Sequence, residues 1–280
     1  MKDAAVRALT HFVSRGAQFL AETRMAPGLR EPLLRALGNR FGVDWSQMPQ
    51  ALDQFESWQA FFTRGLPPGA RTVDSAPEAL VSPCDGAVHS VVTIEQGRLF
   101  QIKGRAYTLS DFLGPWYARA AELEGGTAAT IYLRPKDYHH VHAPLDGAVT
   151  EGRVIPGTLW PVNPWANRTV GDLYNRNERV GMRIALNQNG VRDVSYYYFM
   201  VGALCVGGIE TVFCHRPIQA WDGPLGTPIA RAKGDELGQF LFGSTVIMLF
   251  PRAAQVEFHV TVGQELRMGQ RIGTIGGANE

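Results

Sequence analysis

Apolar residues recur every three or four positions near the start of the chain, at Val6, Leu9, Val13, Ala17 and Leu20. This spacing predicts an amphipathic helix over Ala4–Ala21. Shorter helices are predicted over Glu31–Asn39, where Pro32 suits the first turn, and over Ala51–Phe62. The pattern therefore places a helical region at residues 1–65.

From about residue 66 onward the pattern changes to short β-branched or aromatic runs bounded by turn residues. The predicted strands are Ala87–Val92, Thr127–Leu133, Val194–Met200, Thr245–Phe250 and Gln255–Val260. The 31 glycines and 17 prolines also suit many short strands joined by turns. We therefore predict an α+β, mainly β chain, with N-terminal amphipathic helices followed by a β domain over residues 66–280.

A local repeat refines the prediction for the β domain. The segment SPCDGAV at 82–88 returns as APLDGAV at 143–149, and each copy reads as a P-x-D-G turn that leads into a strand. The segment VTVGQELRMGQ at 260–270 resembles the hammerhead strands of biotinyl and lipoyl domains. Together these features favour a barrel-sandwich-hybrid-like architecture.

Charge separates the two regions. Residues 1–40 hold seven basic and three acidic side chains, although the whole chain has a net charge of only +1. A basic amphipathic helix before a slightly acidic body is typical of a segment that contacts anionic lipid at a membrane surface. The alternative is an ordinary helix whose apolar stripe packs on the body. The low net charge argues against a nucleic-acid partner.

Neither a membrane-spanning segment nor a secretory signal is indicated. The longest apolar stretch, Tyr196–Ile209, is shorter than the roughly 18 residues that a spanning helix needs, and the N-terminus lacks a signal-like pattern. The three cysteines, Cys84, Cys205 and Cys214, have no CxxC spacing, so neither a disulfide framework nor a zinc knuckle is predicted.

Three of the seven histidines lie within four residues, at His139, His140 and His142. In an extended segment His140 and His142 share one face, and His139 lies on the other. Histidine serves as a base, an acid or a metal ligand near neutral pH. A zinc site is therefore an alternative, but no cysteine or carboxylate nearby in sequence completes it. A purely structural role is equally open for each ring.

Two further features have both a structural and a chemical interpretation. Asp85 and Asp146 occupy the repeated turns, where aspartate before glycine is common. Asp85 is also a candidate to orient a histidine beside a nucleophile. Gly243-Ser244-Thr245 precedes an apolar strand, and alone it would indicate only a bend.

The motifs combine into a recognisable order: FFTRGLPPGARTVD (61–74), SPCDGAV (82–88), FQIKG (100–104), YLRPKDYHHVHAP (132–144), PGTLWPVN (156–163), NERV (177–180) and GST (243–245). In this order the chain resembles the phosphatidylserine decarboxylases, a family of pyruvoyl enzymes, over about residues 55–270. Its length and basic N-terminus are similar to those of the bacterial, membrane-associated form. The resemblance implies that residues 66–280 form the catalytic domain.

The resemblance implies a proenzyme that cleaves itself between Gly243 and Ser244. The products would be residues 1–243 and 244–280, which stay together, and Ser244 would become a covalent pyruvoyl cofactor. The family's catalytic set maps onto Asp85, His142 and Ser244. His142 would take the proton of the Ser244 hydroxyl, and Asp85 would orient His142, as in serine-hydrolase triads.

The reaction implied is the decarboxylation of phosphatidylserine to phosphatidylethanolamine and CO₂, through a Schiff base with the pyruvoyl group and without a metal. His139 is the candidate general acid, although His140 stands where the family often has arginine, which leaves the choice between the two open. Phe242 replaces the usual leucine before Gly243. Arg134, Lys136 and Arg179 are candidates to bind the lipid phosphate or carboxylate.

The expected location is the cytoplasmic side of the cell membrane, as a peripheral protein, with homodimerisation left open. Two other functions remain. One is a serine hydrolase that uses an uncleaved Asp85/His142/Ser244 triad, although no G-x-S-x-G motif surrounds Ser244. The other is a non-catalytic carrier-like or lipid-binding module, although the hammerhead segment has no lysine for biotin or lipoate.

Overall fold

The computed structural model describes residues 2–100, 106–162, 171–187, 191, 193–203, 208–213, 222–241 and 244–276. Its α-helices are α1 (Lys2–Glu22), α2 (Pro27–Phe41), α3 (Trp58–Phe62), α4 (Leu109–Leu113) and α5 (Leu173–Arg176). Short 3₁₀ helices span Trp45–Gln47, Leu52–Gln54, Gly114–Leu123 and Arg252–Ala254.

The strands follow the helical region. They are β1 (Ala79–Val81), β2 (Gly86–Thr93), β3 (Arg98–Phe100), β4 (Ala106–Thr108), β5 (Thr127–Leu133), β6 (His140–His142), β7 (Gly147–Ile155), β8 (Arg179–Leu186), β9 (Ser195–Val201), β10 (Ile209–Thr211), β11 (Asp222–Arg231), β12 (Glu236–Phe240), β13 (Ser244–Phe250), β14 (Val256–Phe258), β15 (Glu265–Leu266) and β16 (Arg271–Ile275). The prediction of an α+β, mainly β chain is confirmed.

An antiparallel sheet of eight strands forms the centre of the molecule, in the order β11-β7-β8-β9-β13-β5-β2-β15. Smaller sheets have the orders β1-β16-β14, β10-β12-β6 and β3-β4. The two P-x-D-G turns lead into β2 and β7, as predicted, and each of these strands lies second from one edge of the large sheet. Among the described residues the strands form open sheets and not a closed barrel.

Both faces of the central sheet are buried. On β13, Val246 and Met248 pack into one hydrophobic cluster, and Ile247 and Leu249 pack into a second cluster on the other face. All four side chains are completely buried. A strand that is apolar on both faces and paired on both sides is typical of a sheet interior, so β13 forms the middle of the core.

The helical region differs from the prediction in two places. Helix α2 begins at Pro27, so Pro32 lies inside the helix and not in its first turn. The predicted helix over Ala51–Phe62 is interrupted, because the Ser57 side chain accepts a hydrogen bond from the Ala60 N–H and so starts α3 afresh. In the β domain, the last predicted strand is shorter and covers only Val256–Phe258.

Helix α1 turns its polar side towards the body of the protein. The His11 ring contacts the Gly157 carbonyl at 2.9 Å, and the Thr10 hydroxyl accepts a hydrogen bond from the Leu159 N–H. The apolar stripe faces outwards, with Leu9, Phe12, Val13, Phe19 and Leu20 exposed. The alternative interpretation, in which this stripe packs on the body, is therefore wrong. None of the described helices is both long and apolar enough to cross a membrane.

Candidate functional site

The histidine cluster lies on β6 and the turn that precedes it, beside β12. As the alternation predicts, His140 and His142 share a face and both stack on the ring of Tyr138. His139 points the other way and packs against Phe62, with ring centroids 3.9 Å apart. One short segment therefore places its three histidines in different surroundings.

His139 is completely buried. Its Nδ1 donates a hydrogen bond to the Asp137 carbonyl over 2.8 Å, and its Nε2 has no hydrogen-bond partner among the described residues. Burial, reinforced by the positive charge of Arg64, lowers the pKa of His139 to about 3. The ring is therefore neutral at neutral pH, with an unshared lone pair on Nε2.

His140 is held at both ring nitrogens. Its Nδ1 lies 3.0 Å from the Glu236 carboxylate, and its Nε2 lies 3.1 Å from the Thr63 carbonyl. Burial alone would lower the pKa of His140, but these two acceptors outweigh it and raise the pKa. Because both nitrogens face acceptors, this ring favours the imidazolium form, and it ties β12 to the end of α3.

His142 is buried at the end of β6. Its Nδ1 lies 2.8 Å from the Gly234 carbonyl, and its Nε2 lies 3.2 Å from the Tyr138 hydroxyl. Burial lowers the pKa of His142, an effect that the hydrogen bond to Gly234 partly offsets. Since a carbonyl can only accept, the neutral ring carries its proton on Nδ1 and a basic lone pair on Nε2.

The Asp85 carboxylate is held by other partners. Arg71 binds both of its oxygens, and the Met268 N–H donates to Oδ1 over 2.8 Å. The hydrogen bonds of the His142 ring go to Gly234 and Tyr138, so Asp85 acts on His142 through its charge and not through a bond. The structure thus brings the two predicted residues near each other, but a backbone carbonyl orients the histidine.

The Gly243–Ser244 bond lies between β12 and β13. Gly243 and Phe242 lie outside the described residues, and β13 begins at Ser244, opposite Leu133 of β5. At the end of β12, the Phe240 N–H donates to the His139 carbonyl over 2.9 Å. The strand before the bond therefore contacts the histidine segment, and the strand after it pairs with the end of β5.

Thr245 is a second residue with an unsatisfied polar atom beside this bond. Its side chain is completely buried, and its Oγ1 has no hydrogen-bond partner in the described parts of the chain. Such orphaned atoms are rare in folded proteins and carry a free-energy cost. Nε2 of His139 is another such atom, in the turn before β6.

A cavity of about 290 Å³ opens next to Asp85 and Tyr138. Arg134 and Lys136 line it, but Arg134 pairs with Asp137 and both basic side chains contact Glu265. Two of the predicted phosphate-binding candidates therefore line the cavity, and Asp137 and Glu265 partly neutralise their positive charges.

Arg179 does not face this cavity. It is buried, and its guanidinium donates to backbone carbonyls of Asp111, Phe112, Asn175 and Asn177. Burial lowers the pKa of Arg179 to about 10. This arginine joins β8 to α4 and α5, so it is not available to a lipid phosphate.

The sequence interpretation missed Tyr138, Arg71 and Glu236. Tyr138 could have been found, because positions 138, 140 and 142 share a face in an extended segment. Arg71 lies within a matched motif, but nothing in its local pattern shows that it binds Asp85. Glu236 is far from His140 along the chain, so only the pairing of β12 with β6 brings them together.

The described residues bear on the predictions made for the cysteines and for a metal site. Cys84 is completely buried in the core, and burial raises the pKa of its thiol, as suits a packed side chain. Cys205 and Cys214 lie outside the described residues. Within those residues no three histidine, cysteine or acidic side chains are grouped to hold a metal ion.

Comparison with known proteins identifies the family. The family described as phosphatidylserine decarboxylase matches residues 58–274. The chain is 40% identical to the phosphatidylserine decarboxylase proenzyme of Azotobacter vinelandii over 94% of its own length and 93% of the relative's. It is 37% identical to the proenzyme of Alcanivorax borkumensis, over 96% and 94% of the two chains.

A mainly β fold with a buried histidine site, joined to these matches, defines an enzyme of the decarboxylase class. The chain belongs to the phosphatidylserine decarboxylase family.

Proposed function

We propose that the chain cleaves itself between Gly243 and Ser244 and then decarboxylates phosphatidylserine with the pyruvoyl group that Ser244 becomes. The position of the bond carries this proposal. It connects β12, whose last residue Phe240 donates to the His139 carbonyl, to β13, whose first residue Ser244 pairs with Leu133 at the end of β5. The relatives are named as proenzymes, which agrees with a processing step.

In the cleavage step, Oγ of Ser244 attacks the Gly243 carbonyl while His142 Nε2 takes the hydroxyl proton. The bond between the Gly243 carbonyl and the Ser244 nitrogen breaks, and His142 returns the proton to that nitrogen. The resulting ester loses the Ser244 α-proton and releases residues 1–243 as a carboxylate. Hydrolysis of the dehydroalanine that remains releases ammonia and leaves the ketone. Positioned proton transfer contributes roughly 10²–10⁴-fold to such steps.

The surroundings of Ser244 fit a pyruvoyl group. Two buried polar atoms without partners among the described residues are Oγ1 of Thr245, the next residue of β13, and Nε2 of His139, whose carbonyl accepts a hydrogen bond from the end of β12. When formed, the group supplies an electrophilic ketone for the substrate amine and a sink for the electrons released with CO₂.

His139 is the residue that moves a proton in the decarboxylation. Its unshared Nε2 lone pair takes the proton that the substrate ammonium group loses and returns it to the α-carbon after CO₂ has left. His140 is less suited, because both of its nitrogens are held by Glu236 and Thr63. Arg134 and Lys136, at the cavity, remain the candidates for the substrate phosphate or carboxylate.

Residues 1–65 act as the membrane-association region, and residues 66–280 act as the decarboxylase domain. Besides the outward apolar stripe of α1, helix α2 exposes apolar side chains at Leu29, Leu33, Leu37 and Phe41. Such a surface, flanked by arginines, suits a bilayer that contains anionic lipid. The enzyme would then work as a peripheral protein on the cytoplasmic side of the cell membrane.

Intact mass under denaturing conditions tests the proposal. We expect two chains, residues 1–243 and 244–280, with the smaller one blocked by a carbonyl that borohydride and an amine trap. Ser244→Ala should leave one chain without activity, while Ser90→Ala, a control in β2, should be processed normally. An unbroken wild-type chain that hydrolyses esters would instead favour the serine hydrolase. An unbroken chain with neither decarboxylase nor esterase activity would favour the lipid-binding module.

A further inference from the structure

Tyr138 lies between two of the histidines. Its ring is parallel to that of His140, with centroids 4.9 Å apart and planes inclined by 4°, and lies 5.7 Å from the ring of His142. Its hydroxyl contacts Nε2 of His142 at 3.2 Å, and the side chain is buried at the edge of the cavity. Nothing in the chemistry proposed above uses this hydroxyl.

The direction of this hydrogen bond is set by the other nitrogen of His142. Nδ1 faces the Gly234 carbonyl, which can only accept, so Nδ1 carries the proton. The neutral ring then presents a lone pair at Nε2, and the Tyr138 hydroxyl must be the donor. The His142 lone pair that is proposed to take the Ser244 proton thus already accepts a hydrogen bond from the Tyr138 hydroxyl.

The surroundings keep both partners of this bond neutral. Burial raises the pKa of Tyr138, and burial lowers the pKa of His142. The charged and titratable groups that act on the pair are Glu236 of β12, His140 of β6, and Asp85 and Arg71 at the cavity. In this neutral pair the phenol donates to the lone pair, so the bond stabilises the unprotonated state of Nε2.

We propose that Tyr138 is a positioning residue for self-cleavage, whose hydroxyl holds His142 as a neutral base until the Ser244 hydroxyl replaces it. In the exchange the Ser244 proton passes to Nε2, and Tyr138 keeps its own proton. This inference rests on the proposed cleavage at Ser244, but the contact between Tyr138 and His142 can be tested without it.

The first test measures the titration of His142 by NMR in Ser244→Ala, with and without Tyr138→Phe. A hydrogen bond donated to a lone pair stabilises the unprotonated ring, so removing it raises the pKa. We expect an upward shift of about 0.5 to 1 unit, the equivalent of one neutral hydrogen bond. An unchanged or lower pKa would overturn the proposal, whether or not the wild-type chain is cleaved.

The second test follows cleavage of the newly synthesised full-length chain from about pH 5 to about pH 9, a range that spans histidine titration. Because cleavage needs neutral His142, Tyr138→Phe should move the midpoint of the rate profile upwards by the same amount. Tyr117→Phe, which removes an exposed hydroxyl, should leave the midpoint unchanged. A slower rate with an unmoved midpoint would assign Tyr138 a merely structural role and refute the proposal.

A third variant avoids any loss of folding. Fluorotyrosine at position 138 keeps the ring and makes the hydroxyl a stronger donor, so the midpoint should move downwards. A midpoint that stays in place would contradict the proposal. If the wild-type chain is never cleaved, the proposed function fails, while the NMR titration still decides whether Tyr138 controls the protonation of His142.

Discussion

Three histidines within four residues differ in their pKa because their neighbours differ: burial lowers the pKa of His139 and His142, while hydrogen-bond acceptors raise that of His140. His139 is buried beside Phe62 and Arg64, His140 is held by Glu236, and His142 is held by Gly234 and Tyr138. The alternation of an extended segment was enough to predict which rings share a face. It could not predict the pKa values, because Arg64 and Glu236 come from distant parts of the chain.

The pKa of His139 has a consequence for stability. The folded-state pKa of about 3 lies below the unfolded value, so acidification makes the unfolded chain bind one more proton than the folded chain. Acidification from about pH 7 to about pH 5 therefore lowers the unfolding free energy by about 2 kcal/mol through the His139 ring alone. His139→Gln removes this contribution. In a Ser244→Ala background, we expect the unfolding free energy of this variant to fall by about 2 kcal/mol less than that of the parent between about pH 7 and about pH 5, measured by urea unfolding.

His140→Gln is the matched control for that measurement. The raised pKa of His140 stabilises the folded state below the unfolded pKa, and this contribution is lost as the pH rises through the folded pKa. Removing the ring should therefore increase the loss of stability on acidification. If the two variants change the pH dependence in the same direction, the assignment of their protonation states is wrong.

Thr245 allows a separate test of the site. Its buried hydroxyl has no partner among the described residues, so Thr245→Val should raise the unfolding free energy by about 1 kcal/mol. If the Thr245 hydroxyl contacts the pyruvoyl group proposed at position 244, the turnover of Thr245→Val should fall at least about tenfold, equivalent to roughly 1.4 kcal/mol. Thr130→Val, at a buried position of the neighbouring strand, is the control for turnover. Lower stability of Thr245→Val would show that the hydroxyl has a partner.

At the scale of elements, the chain shows what local pattern can and cannot predict. The bounds predicted for β5 agree with the structure, and those for β2, β9 and β13 differ by one residue at one or both ends, because these strands are short runs rich in β-branched or aromatic residues between turns. The break between Leu52–Gln54 and α3 was missed, because the Ser57 cap overrides an apolar spacing that still looks helical. The orientation of α1 could not be predicted, since spacing defines an apolar face but not what it faces.

The orientation of α1 predicts how the protein meets a bilayer. Phe12 and Phe19 are 77% and 71% exposed, so replacing both with serine should leave the unfolding free energy nearly unchanged. Each phenylalanine contributes about 1.5–3 kcal/mol when buried in lipid, so the double variant should bind vesicles with anionic lipid at least about tenfold more weakly. Co-sedimentation measures the loss.

Val262→Ser is the control for vesicle binding, because this residue is 62% exposed but lies on the body of the protein. It should bind vesicles as well as the wild type does. Equal binding by the Phe12/Phe19 variant and the wild type would contradict membrane docking through α1. Deleting residues 1–24 should weaken binding further and reduce its dependence on salt.

At the scale of the whole molecule, cleavage would divide the central sheet between two chains. Residues 244–280 contribute β13, which pairs with β5 and β9, together with β14, β15 and β16. Because β13 is paired on both sides with strands of residues 1–243, and β15 and β16 pair with β2 and β1, the two products should remain associated in native buffer. The mainly β architecture followed from the pattern of short runs and turns, but the place of the proposed cut within the sheet required the strand pairing.

This association predicts a concentration effect. Unfolding of the cleaved protein separates two chains, so its urea midpoint should rise with protein concentration. Ser244→Ala has one chain, and its midpoint should be independent of concentration. Urea titrations over about a hundredfold range of concentration compare the two. A midpoint of the processed protein that does not move would argue against two chains.

The outward apolar stripe of α1 also bears on handling the protein away from lipid. Water must hydrate five large exposed side chains on one helix, so any contact that covers them lowers the free energy. Detergent micelles and the same stripe on a neighbouring copy both offer such a cover. The size of the particles obtained in aqueous buffer should therefore reflect which of these is available, and a preparation without amphiphile should contain clusters joined through their N-termini.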